Sequence, residues 1–129
     1  MKKLVAGVLL LAFASSLAFA QGAMPSTSKN AMETITLSGQ VIDNMCASGH
    51  KNDLANFVKT HNKQCVLAPG CGEQTGYSLF SGGKLYKFSN ESNAMVTSFL
   101  KKDENKLDVT VTAQKMGDEL KLISIDNQK

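Results

Sequence analysis

Every cysteine and histidine of this chain, Cys46, His50, His61, Cys65 and Cys71, falls within residues 43–76, so any thiol or imidazole chemistry has to be done there. Three chemistries fit those residue types. In an oxidising compartment the simplest is one structural disulfide with one thiol left over, because three cysteines cannot all pair. Loop-closure entropy favours a Cys65–Cys71 bridge by about 2.4 kcal/mol and a Cys46–Cys71 bridge by about 3.5 kcal/mol, too small a gap to select the pairing. The second is a metal centre, for Cys46, His50, Cys65 and Cys71 make a Cys3His set of the kind that holds tetrahedral zinc. Cys46 and His50 stand one helical turn apart, and Cu(I) would suit the same thiolates. The five residues between Cys65 and Cys71 exceed the usual spacing of a zinc knuckle. The third is a redox-active thiol. His61 is held in reserve as a substitute for His50. Asp43 could orient His50, although a residue of this type at a strand end is more simply a turn former.

No catalytic signature accompanies the cluster: Gly-x-Ser-x-Gly, His-Glu-x-x-His, a phosphate loop and Cys-x-x-Cys are all missing from the sequence. A Cys46–His50 nucleophilic pair can be drawn, but such a pair arises in any Cys/His cluster. The expectation is therefore a chain that is not an enzyme.

The elements that must position these residues follow from hydrophobic period. Residues 33–43, ETITLSGQVID, put Ile35, Leu37 and Val41 on one face and polar residues on the other, a long strand with Gly39 marking a bend or bulge. Within the insertion, Asn52 or Asp53 can cap a helix whose stripe is Leu54, Phe57, Val58 and His61. Residues 65–76 carry Pro69, Gly70, Gly72 and Gly76 and read as an irregular loop. A hairpin over 77–88 turns at Gly82-Gly83. Ser89 or Asn90 then caps a helix to about Lys102, with Met95, Val96, Phe99 and Leu100 as its buried face. Leu107, Val109, Val111 and Ala113 alternate with polar residues in a fourth strand, which turns at Met116-Gly117-Asp118 into a fifth. In that last strand the apolar phase slips between Leu122 and Ile123, which predicts a bulge or burial on both sides. The expected fold class is mainly β within α+β. Its architecture is an OB-like five-stranded barrel with a helix between strands 3 and 4 and a helical Cys/His insertion after strand 1.

Ahead of this domain, Lys2 and Lys3 precede an apolar run that ends in Ala18-Phe19-Ala20, the three-part pattern of a secretory signal peptide cleaved after Ala20. The expected organisation is a signal peptide at 1–20, a flexible leader at 21–32 and the domain at 33–129. Removing the first 20 of 129 residues leaves 109 and takes two lysines away, lowering the formal charge from +3 to +1. That size implies one domain. Arginine is absent and the charge is near neutral, which argues against nucleic acid as a partner. After signal cleavage no membrane association is expected, and the predicted location is periplasmic or secreted.

Taken in order, Asp43-x-x-Cys46-x3-His50, Cys65, Cys71, Gly76 before a strand, Gly83-Lys84-x-Tyr86-x-Phe88 and the Val-rich final hairpin resemble a family of small exported bacterial proteins of uncharacterised function. The resemblance spans roughly residues 37–125. It implies an OB-type barrel with a Cys/His insertion after the first strand and implies no activity. The function expected from the sequence is an exported binding or structural module whose insertion is crosslinked by disulfide or metal. The alternative is a periplasmic metal-binding or thiol-redox protein that uses Cys46, His50, Cys65 and Cys71.

Overall fold

The computed structural model describes residues 32–129; the signal peptide and nearly all of the leader expected from the sequence lie outside them. Strand β1 runs over Glu33–Asp43 and is followed by four short helices, α1 at Asn44–Gly49, α2 at Leu54–Thr60, α3 at Lys63–Val66 and α4 at Gly72–Thr75. Strands β2 at Tyr77–Ser81 and β3 at Lys84–Phe88, helix α5 at Asn90–Leu100, and strands β4 at Asp108–Met116 and β5 at Glu119–Asn127 complete the chain. The stretch read as an irregular loop, 65–76, in fact holds the second half of α3 and all of α4. Each is a single turn, too short for its periodicity to stand out. Helix α1 supplies the helical turn that the spacing of Cys46 and His50 implies.

The five strands hydrogen-bond in a ring in the order β1-β2-β3-β5-β4, a closed sheet with the helices outside it. The ring closes because β1 has two partners. Its first part pairs with β4 from Glu33 to Gln40, and its last part pairs with β2 from Gln40 to Asp43. The change of partner occurs next to Gly39, where an added Cβ would sit 2.3 Å from the Phe80 carbonyl oxygen. Glycine is thus required there for close backbone approach, as the predicted bend implies. Of the two readings of the slip in β5, the bulge is the one present: Thr112 pairs with Ser124 but Ala113 pairs with Leu122, so Ile123 is the extra residue, and it is exposed. The ring is thinnest between β3 and β5, which run parallel and share only the pairs Lys87–Glu119 and Phe88–Leu120.

Val41, Leu79, Phe88, Val109, Val111 and Leu120 fill the ring, and Val96 and Leu100 of α5 close one side of the same core. Each such side chain contributes roughly 1.5–3 kcal/mol when fully buried. On α5, Met95 is 41% exposed rather than buried, and Ser92 takes the inward position instead. The Ser92 hydroxyl accepts from the Leu122 amide at 2.8 Å, tying the helix to β5 by a polar contact that a purely apolar stripe overlooks.

A second, smaller core lies beneath the insertion, where Ile42, Ala47 and Val58 pack with Leu54, Phe57, Phe80 and Leu85. The two ends of the insertion are fastened at its base. The Asn44 amide donates to the Gly76 carbonyl at 3.0 Å, and the Asn44 side chain donates to the Thr75 carbonyl at 2.8 Å and accepts from the Ser78 hydroxyl. Further out, the Lys63 ammonium donates to the carbonyls of Lys102, Asp103 and Asn105, joining α3 to the loop after α5. Among the described residues no helix is long and apolar enough to cross a membrane.

Candidate metal centre

Two short helices carry the thiols, and the same device starts each. Asp43, the last residue of β1, accepts from the Cys46 amide at 2.8 Å through its side chain, and Asn62 accepts from the Cys65 amide at 2.9 Å. Each is an N-cap bonding the third residue of its helix, so Asx-x-x-Cys recurs at 43–46 and 62–65 and fixes where each cysteine leaves its helix. The repeat was readable in the sequence, since an Asx three residues before a cysteine is a capping signal. Asp43 is therefore more than a turn former.

The structure brings Cys46 and Cys65 together with His61. One ligand atom from each lies within 4.8 Å of the other two. His61 ends α2 on its apolar stripe, and that placement carries it inward, leaving the residue 8% exposed. His50, the histidine expected from the sequence, falls just past α1, is exposed, and stacks its ring on Phe57 at 3.7 Å between centroids. His50 is the C-cap of α1: its amide still donates to the Cys46 carbonyl at 3.0 Å, but the backbone leaves the helix there and the ring lies on Phe57 instead of joining the Cys46 sulfur. Phe57 also contacts His61, with ring centroids 4.9 Å apart. Cys71 is half-buried at the N-cap of α4 and is not one of the three clustered residues. All three cysteines are free, with no sulfur pair bonded.

The electrostatics around the trio are those of a site short of positive charge. Asp43 is fully buried and its Oδ2 lies 3.3 Å from His61 Nε2, yet Oδ2 and both ring nitrogens of His61 lack a hydrogen-bond partner of proper geometry. Burial lowers the His61 pKa in spite of the opposing pull of Asp43, so the imidazole is neutral and retains a lone pair at neutral pH. Burial, then the adjacent Asp43, pushes the Cys46 thiol up to about 12. Burial raises Cys71 as well, with Asp43 and Cys65 adding to the effect. Activated catalytic cysteines have depressed pKa values, so Cys46 lacks the activation of a catalytic thiolate and would react slowly as a metal-free thiol. Two thiols and an imidazole facing one point, with a buried carboxylate behind them, would instead be stabilised by a cation, which takes the thiols as thiolates and expels their protons.

Comparison with known protein families, curated proteins and solved structures finds no match for the chain.

Proposed function

We propose that this chain is an exported OB-like barrel that binds one thiophilic cation, Zn2+ or Cu(I), through Cys46, His61 and Cys65. Asp43 is the positioning residue: its Oδ2, 3.3 Å from Nε2 of His61 but not hydrogen-bonded to it, would take that nitrogen once the ion holds the other, the carboxylate–histidine arrangement common behind metal-bound imidazoles. The donor set suits both cations. Zn2+ would add a fourth ligand, water or Cys71, whereas Cu(I) is satisfied by few soft donors. The signal-like residues 1–20 support export, and the order of five strands with α5 between β3 and β4 supports the OB-like description.

The observation that carries this reading is the group of buried polar atoms without partners, Asp43 Oδ2 and both nitrogens of His61. Buried polar groups left unpaired cost about 1–3 kcal/mol each, and a plain disulfide staple would leave all of them so. An ion gives the imidazole a partner and offsets the charge of the carboxylate.

The test is elemental analysis and Zn2+ titration of the mature protein purified under reducing conditions, beside His61→Ala, His50→Ala and Cys71→Ser. About one ion per chain is expected for the wild type, for His50→Ala and for Cys71→Ser, and none for His61→Ala. Retention of the ion by His61→Ala, or its loss from His50→Ala alone, would move the site to the set expected from the sequence.

A further inference from the structure

We propose that Cys46 and Cys65 are also a redox pair, closing to a disulfide by exchange with a protein or small-molecule disulfide and thereby expelling the ion. The expulsion rests on the metal reading above; the closure does not. Both thiols are free, each is half-buried, and their sulfurs lie within the 4.8 Å cluster. A bonded pair needs about 2.05 Å between sulfurs, so the approach that remains is a rotation of side chains and a small shift of one-turn helices. Helices α1 and α3 have six and four residues, and their N-terminal caps hold the backbone at Cys46 and Cys65 while leaving the side chains free to turn.

The exchange balances with the external disulfide as its only oxidant. One of the two thiols gives its proton to solvent, and the thiolate attacks the oxidant's S–S bond, forming a mixed disulfide and releasing one thiol. The second cysteine then attacks the mixed disulfide, forming Cys46–Cys65 and releasing the second thiol. Two electrons and two protons have passed to the oxidant, which is reduced to two thiols.

Ion and disulfide exclude each other because both draw on the same sulfurs. Once Cys46 and Cys65 are joined, His61 is the only donor of the trio that remains, and one imidazole does not retain a thiophilic cation. In an oxidising compartment the bound ion therefore protects the thiols, and oxidation discharges it.

The experiment treats reduced mature protein, free and Zn2+-loaded, with oxidised glutathione. Disulfides are mapped by peptide mass spectrometry, and released zinc is read with a chromophoric chelator. The expected result is a Cys46–Cys65 linkage in the wild type and in Cys71→Ser, release of the zinc in step with it, and slower closure in the loaded protein. Cys46→Ser and Cys65→Ser should form no intramolecular Cys46–Cys65 link and serve as map controls. A Cys65–Cys71 or Cys46–Cys71 linkage as the main product, or zinc retained after Cys46–Cys65 has closed, would overturn the proposal. If the reduced protein never takes up zinc, the metal reading and the expulsion fall together, while the linkage map still decides the closure.

Discussion

Replacing Asp43 separates its two jobs, capping α1 and positioning His61, because Asn can do the first but not the second. In Asp43→Asn the side-chain oxygen still accepts from the Cys46 amide, now 2.8 Å away, and Asn caps as well as Asp does. What is lost is a negative acceptor for the His61 ring nitrogen 3.3 Å away. Removing such a carboxylate behind a metal-bound histidine typically weakens the ion 10–100-fold, which is about 1.4–2.7 kcal/mol. Without the ion the same change removes a fully buried acidic group that has no proper donor on Oδ2, so the metal-free protein should melt no lower than the wild type. Asp43→Ala must lose the cap as well, about 1 kcal/mol, or about 4–8 °C for a fold of this size. Competition against a chromophoric chelator in reducing buffer gives the affinities, and melts in excess chelator give the metal-free stabilities. Asp43→Asn binding zinc as tightly as the wild type would refute the positioning role. Equal losses of melting temperature in the Asn and Ala variants would refute the separation of roles.

Gly39→Ala should cost at least about 2 kcal/mol, because its Cβ would lie 2.3 Å from a backbone oxygen of β2, which cannot rotate away; chemical denaturation measures it, and a wild-type midpoint would contradict the close approach. Tyr77→Phe removes the 2.9 Å contact between the Tyr77 and Thr97 hydroxyls and should cost about 1 kcal/mol at pH 7. Burial raises the Tyr77 pKa above its ordinary 10.0, so its folded-state stabilisation is complete below pH 10 and declines as pH climbs through the raised value. The gap between Tyr77→Phe and the wild type should accordingly narrow in denaturation series carried above pH 10, and a constant gap would count against that burial effect. Mass spectrometry of the exported protein should find Gln21 at the N-terminus, and an intact Met1 would overturn the signal peptide.

The strands were legible because their period is long enough to read: eleven residues of β1 and the alternation at Val109, Val111 and Ala113 leave little choice of face. The insertion was harder because its helices have four to seven residues, and in a single turn capping decides what period cannot. For the histidines, spacing from Cys46 pointed to His50, but the apolar stripe of Leu54, Phe57 and Val58 was the better guide to which ring is buried. That stripe already contained His61. Asp43 reads as a turn former for a related reason. Its type suits a turn, and only its distance of three residues from Cys46, repeated by Asn62 and Cys65, marks it as a cap.

The two-pair junction between β3 and β5 has a bearing on how the molecule breathes. Elsewhere the ring is held by ladders of four to eight residue pairs, so transient opening should begin where only Lys87–Glu119 and Phe88–Leu120 join the strands. The amides of Lys87 and Ser89, which donate to the Asp118 and Leu120 carbonyls across that junction, would then exchange with deuterium ahead of those in the β1–β4 ladder. An opened junction exposes two unsatisfied strand edges, each able to accept a strand from another copy. At high concentration this seam is the part of the molecule through which copies would exchange strands, while the insertion, fastened at Asn44 and Gly76 on the β1–β2 side, would travel through such an exchange intact.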